Sequence, residues 1–70
     1  MKMLRQILND PDSYQLTPKA IDELRQLYRA FETNPFFPIS PHLYAEKVLK
    51  SLMRRGEITS KVMQLILEDF

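Results

Sequence analysis

Apolar residues recur at steps of three and four positions along most of this chain, which is the spacing that puts side chains on one face of an α-helix. The spacing predicts four helices, over residues 2–9, 18–33, 41–55 and 60–70. In the second helix, the face expected to be buried carries Ile21, Leu24, Tyr28 and Phe31, with Ala20 and Leu27 at its edges. The fold class we predict is all-α: a small bundle of three to four antiparallel helices in a single domain, residues 1–70.

Three of these helices are expected to begin at the same local signal, an apolar residue followed by a hydroxyl residue. The signal occurs at residues 16–18, 39–41 and 58–60, twice with proline next. A Ser or Thr side chain can accept a hydrogen bond from the first helical turn, and proline fits the first helical position. Gly56 follows two arginines, where a glycine readily ends a helix in a left-handed conformation. The third helix should therefore end close to this glycine.

Length and composition limit how such a bundle can be stabilised. The chain has 70 residues, no cysteine and a net charge of +1. A chain this short buries only about 60% of the surface of its unfolded form, and disulfides cannot reinforce it. Tight helix packing or association must supply the stability. No apolar run reaches the roughly 20 residues of a membrane span, and no signal peptide is evident. We expect a cytoplasmic protein with no membrane partner.

The polar residues do not suggest an enzyme. His42 is the only histidine, so with no cysteine present a transition-metal site is not expected. The single glycine, Gly56, excludes a glycine-rich phosphate loop, and no nucleophile is paired with a base. The sequence therefore predicts no catalytic residues, no metal and no cofactor.

The last helix has more apolar residues than one neighbouring helix can cover, so it is either central to the bundle or also faces another chain. Two adjacent phenylalanines lie between prolines in the loop before the third helix. We therefore expect a small non-catalytic protein–protein interaction module that forms a homodimer through its C-terminal helix. An inhibitor or accessory subunit of a larger complex is an alternative. The predicted interface consists of Phe36, Phe37, Met63, Ile66, Leu67 and Phe70.

Basic residues around the third helix allow another function. Between the first and last of them the only acid is Glu57, so the local charge is about +4. This cluster could contact the phosphates of DNA or RNA in a small regulator, or could be an ordinary solvated face. A helix-turn-helix is a weak match, because the last helix ends in Glu68 and Asp69, which would repel phosphate. The possible nucleic-acid contacts are Lys47, Lys50, Arg54, Arg55 and Lys61.

Overall fold

The four predicted helices all form, and their ends lie within two residues of those expected. The structure is a computed structural model that describes residues 2–33 and 40–69. Its helices are α1 (Lys2–Asn9), α2 (Pro18–Thr33), α3 (Pro41–Arg54) and α4 (Ser60–Glu68), with a 3-10 helix at Pro11–Tyr14. The all-α fold class is therefore confirmed.

The main contacts between the helices form a ring, in which each helix packs chiefly against two others. α1 contacts α2 and α4, and α3 also contacts α2 and α4. The radius of gyration is 11.1 Å, and a compact chain of this length is expected to have a value of about 11 Å. Each helix therefore has two main helical neighbours.

The core inside this ring is apolar throughout the described part of the chain. All four helices and the turn before α4 contribute to it. Burying one large aliphatic side chain stabilises a fold by about 1.5–3 kcal/mol, so these contacts are the main source of stability. The buried residues are Leu4, Ile7, Ala20, Leu24, Leu27, Ala45, Leu49, Leu52, Ile58, Val62 and Ile66.

The buried face of α2 differs from the prediction. Ala20, Leu24 and Leu27 are buried, whereas the predicted Tyr28 and Phe31 remain partly exposed. The predicted stripe and the buried one overlap at Leu24. Helical spacing alone does not show which of the two faces the neighbouring helices. The bulky rings lie at the edge of the core instead. There the Phe31 ring packs edge-to-face on Tyr44 of α3, with 5.9 Å between ring centroids.

The shared start signal produces two side-chain caps rather than three. The Ala20 N–H donates to the Thr17 hydroxyl oxygen at 3.2 Å, and the Val62 N–H donates to the Thr59 hydroxyl oxygen at the same distance. Ser40 makes no such hydrogen bond, yet α3 still begins at the next residue. The pattern thus identified all three starts, but the hydrogen bond forms at only two of them.

The end of α3 has the geometry expected of a glycine cap. Gly56 has a φ of +73°. Its N–H donates to the Met53 carbonyl at 3.0 Å, and the Glu57 N–H donates to the Leu52 carbonyl at 2.9 Å. These two bonds form a Schellman motif, which satisfies carbonyls that the end of a helix would otherwise leave unpaired. The motif turns the chain so that α4 begins at Ser60, four residues after Gly56.

Candidate interaction surfaces

The apolar residues of α4 are distributed between the core and the surface. Val62 and Ile66 are buried, and Ile66 has no exposed surface at all. Ile66 therefore belongs to the core, although the sequence placed it in the interface. Met63 and Leu67 are one helical turn apart and are only partly buried. The other three predicted interface residues, Phe36, Phe37 and Phe70, lie outside the described residues.

The other flank of α4 is set by Leu65, which is also partly exposed. Leu65 contributes to two shallow grooves. One, of about 270 Å³, also includes Ser13 and Tyr14, and the other, of about 260 Å³, includes Met3 and Asp69. The apolar arc from Leu65 to Leu67 covers about 200° of the helix circumference at 3.6 residues per turn. Val62 and Ile66, in the middle of this arc, are buried, whereas Leu65, Met63 and Leu67 are partly exposed.

The turn between α3 and α4 is attached to α2 by polar side chains. The Thr17 hydroxyl, which caps α2, donates to the Glu57 carboxylate, and the Thr17 N–H approaches the Glu57 carbonyl at 3.5 Å. The Arg55 guanidinium donates to the Glu23 carboxylate at 2.7 Å and also to the Ser51 carbonyl. Arg55 therefore points towards α2, away from the outer face of α3.

The five basic residues predicted to contact phosphate do not form one patch. Arg55 is paired with Glu23. The Lys50 ammonium pairs with the Glu46 carboxylate at 2.9 Å, and this contact lowers the pKa of Glu46. Lys61 lines the groove with Ser13 on a different side of the molecule. The structure thus separates the cations that the sequence places close together.

A smaller set of residues does share the outer side of α3. Leu43, Lys47, Lys50 and Arg54 follow one another at steps of four, three and four, which places them on one stripe. Lys47 and Arg54 have no ion-pair partner among the described residues. Leu43 is 46% exposed and is the one exposed large hydrophobic residue in that part of the chain. The exposure of Leu43 could have been predicted from the sequence, because helical spacing puts it on the face of Lys47 and Lys50 rather than on the apolar face of α3.

A further groove, of about 380 Å³, lies between α2 and α3. Its lining combines apolar side chains with Glu23, which is already paired with Arg55. The lining residues are Glu23, Gln26, Leu27, Ala30, Tyr44 and Val48. Within residues 2–33 and 40–69, no group of three His, Cys, Asp or Glu side chains could hold a metal ion. None of the helices in those ranges is long and apolar enough to cross a membrane.

The sequence and fold were also compared with known proteins. No protein-family model, no curated protein and no solved structure matches this chain. Function must therefore be inferred from the surfaces of the chain itself.

Proposed function

We propose that this protein is a small non-catalytic interaction module that self-associates through the flank of α4 carrying Met63 and Leu67. One observation carries the proposal. Although α4 packs against α1 and α3, Met63 and Leu67 on its apolar arc remain partly exposed. Exposed apolar surface that continues a buried core is typical of an interface between chains.

The size of the protein supports the same proposal. A core of this size, without disulfides or metal, supplies only about 3–5 kcal/mol of stability. Covering Met63 and Leu67 with the same surface of a second copy would add buried apolar area at both copies at once. A two-fold dimer places one surface against itself, so each partly exposed side chain contributes twice.

The oligomeric state of the chain in solution tests this proposal directly. We expect light scattering at micromolar concentration to give twice the 8.3 kDa mass of the chain. We also expect the melting temperature to rise with concentration, because dissociation accompanies unfolding. A mass of 8.3 kDa together with a melting temperature independent of dilution would overturn self-association.

Two matched variants test the surface. Leu67→Lys adds a positive charge to the proposed interface, and Gln64→Lys adds the same charge to an exposed position on the same helix. We expect the first to be monomeric and the second to remain dimeric, with circular dichroism confirming that both are helical. Met63→Gln, which changes polarity with little change in length, serves as a second interface variant if Leu67→Lys unfolds. A folded interface variant that remains dimeric would exclude this surface.

A further inference from the structure

The outer stripe of α3 is distinct from the proposed self-association surface. It consists of Leu43, Lys47, Lys50 and Arg54, and α3 contacts α2 and α4 through its other sides. The stripe extends over about 16 Å, since each residue of a helix rises 1.5 Å. It combines an exposed leucine with cations that the described part of the chain leaves only partly neutralised. We call it the α3 stripe.

We propose that the α3 stripe binds an acidic amphipathic helix of a partner protein. The four-three-four spacing is that of a coiled-coil seam, which runs almost straight along a helix and fits a second helix lying beside it. Such a partner would carry an apolar residue opposite Leu43 and carboxylates opposite Lys47 and Arg54. Helix-in-groove recognition uses the same combination of apolar anchor and flanking charges.

Charge complementarity favours an acidic helix over a second copy of this chain. If two α3 stripes packed against each other, Lys47 and Lys50 would face cations, and like charges held close together are unfavourable. A carboxylate-bearing helix would instead pair with Lys47 and Arg54, which have no ion-pair partner among the described residues.

The stripe is also better suited to a helix than to nucleic acid. Leu43 is 46% exposed, and a phosphate backbone offers it no apolar contact. Glu46 lies beside the stripe, one helical turn before Lys50, and its carboxylate pairs with the Lys50 ammonium at 2.9 Å. A run of phosphates along the stripe would therefore meet a carboxylate at its edge. A helix with separated carboxylates avoids that repulsion because it can leave the position facing Glu46 uncharged.

A designed peptide tests the proposal. The probe is a 21-residue helix with one leucine and three glutamates at four-three-four spacing, and alanine and glutamine elsewhere; a second probe replaces its leucine with serine. Binding is followed by amide signals of the ¹⁵N-labelled full chain. We expect the first probe to shift signals within residues 43–54 and to bind about tenfold more tightly than the second. A tenfold ratio corresponds to about 1.4 kcal/mol.

Variants of the protein test whether binding depends on the α3 stripe itself or only on the overall charge of the chain. We expect Leu43→Ser, and separately the double variant Lys47→Glu with Arg54→Glu, to weaken binding about tenfold. Arg25→Glu with Arg29→Glu makes the same charge change on the exposed side of α2 and should leave binding unchanged. All these positions are exposed, and circular dichroism verifies folding.

The proposal is overturned by absent signal shifts, by equal losses in both double variants, or by unchanged binding in Leu43→Ser. Equal or tighter binding of a 15-base-pair DNA duplex at the same residues would overturn it in favour of nucleic acid.

Discussion

Two places in this molecule bring distant parts of the chain together, and they do so by different means. At the α3–α4 turn, Thr17 and Glu23 of the α2 region contact Glu57 and Arg55 through side-chain hydrogen bonds and an ion pair. At the other place, the start of α1 meets the end of α4. There the Met3 N–H donates to the Asp69 carboxylate at 2.8 Å, and this contact is exposed.

The difference concerns what each contact contributes. Leu4 and Ile7 of α1 are fully buried, so burial attaches α1 and the exposed Asp69 contact adds little. The α3–α4 turn contributes only Ile58 to the core. Its position therefore depends on directional polar contacts, which set geometry more than they add stability. Burial should thus dominate at the chain ends and hydrogen-bond geometry at the turn.

The largest expected effect is at α1. Leu4→Ala should lower the free energy of unfolding by about 2–5 kcal/mol, since it removes a fully buried side chain and leaves a cavity. Urea denaturation measures the change. Gln6→Ala, at an exposed position of the same helix, is the control and should change stability little. A loss below about 1 kcal/mol in Leu4→Ala would show that burial does not hold α1 in place.

The next effect is at the contact between α2 and the turn. Thr17→Val should cost about 1–2 kcal/mol, because it removes both the cap of α2 and the hydrogen bond to Glu57. Thr17→Ser keeps the hydroxyl and should cost much less. A double-mutant cycle with Glu57→Ala isolates the shared part of the effect. Additive losses would mean that the Thr17–Glu57 hydrogen bond contributes nothing beyond the helix cap.

The left-handed residue that ends α3 gives a third, smaller effect. Gly56→Ala should destabilise by about 1 kcal/mol, because a side chain disfavours positive φ. No atom lies within 4 Å of the added Cβ, so the cost is conformational rather than steric. Gly56→Asn should cost less, since asparagine tolerates this conformation better. Thermal melts can rank the two variants. If Gly56→Ala were as stable as the unaltered protein, the positive φ at this position would carry no cost for a side chain.

The ion pair between Arg55 and Glu23 should have a coupling energy of about 0.5 kcal/mol, which is typical of a solvent-exposed pair. A double-mutant cycle using Arg55→Gln and Glu23→Gln, repeated at low and high salt, measures it. Screening should reduce the coupling at high salt. A coupling that salt leaves unchanged would show that the pair acts through packing rather than charge.

The smallest effect is expected at Asp69 and depends on pH. The Met3 N–H lowers the pKa of Asp69 below its ordinary value of 3.8. A carboxylate with a lower pKa in the folded state stabilises the fold above its unfolded pKa, and loses that contribution as pH falls through the folded value. Asp69→Asn should therefore flatten the pH dependence of stability below about pH 4. An unchanged profile in Asp69→Asn would remove any role for the charge.

Much of the fold could be predicted from local signals. The helix starts at Pro18, Pro41 and Ser60 follow from residue types within three positions of one another. The glycine that ends α3 is equally local, because φ preference belongs to a single residue. The surfaces were harder to predict. The direction of Arg55 depends on Glu23, which is 32 positions away, and no local pattern contains that information.

Taken alone, the sequence determined where helices begin and end and that an apolar stripe runs along each of them. Those features depend on hydrogen bonding and side-chain spacing within a few residues. Only the tertiary structure decided that Ile66 is enclosed while Leu67 reaches the surface, and that α2 buries Ala20 rather than Phe31. It also decided that Arg55 pairs with Glu23 and that Lys61 lines a groove with Ser13. Such outcomes depend on which neighbouring helix lies against each face, and that is set by all four helices packing together.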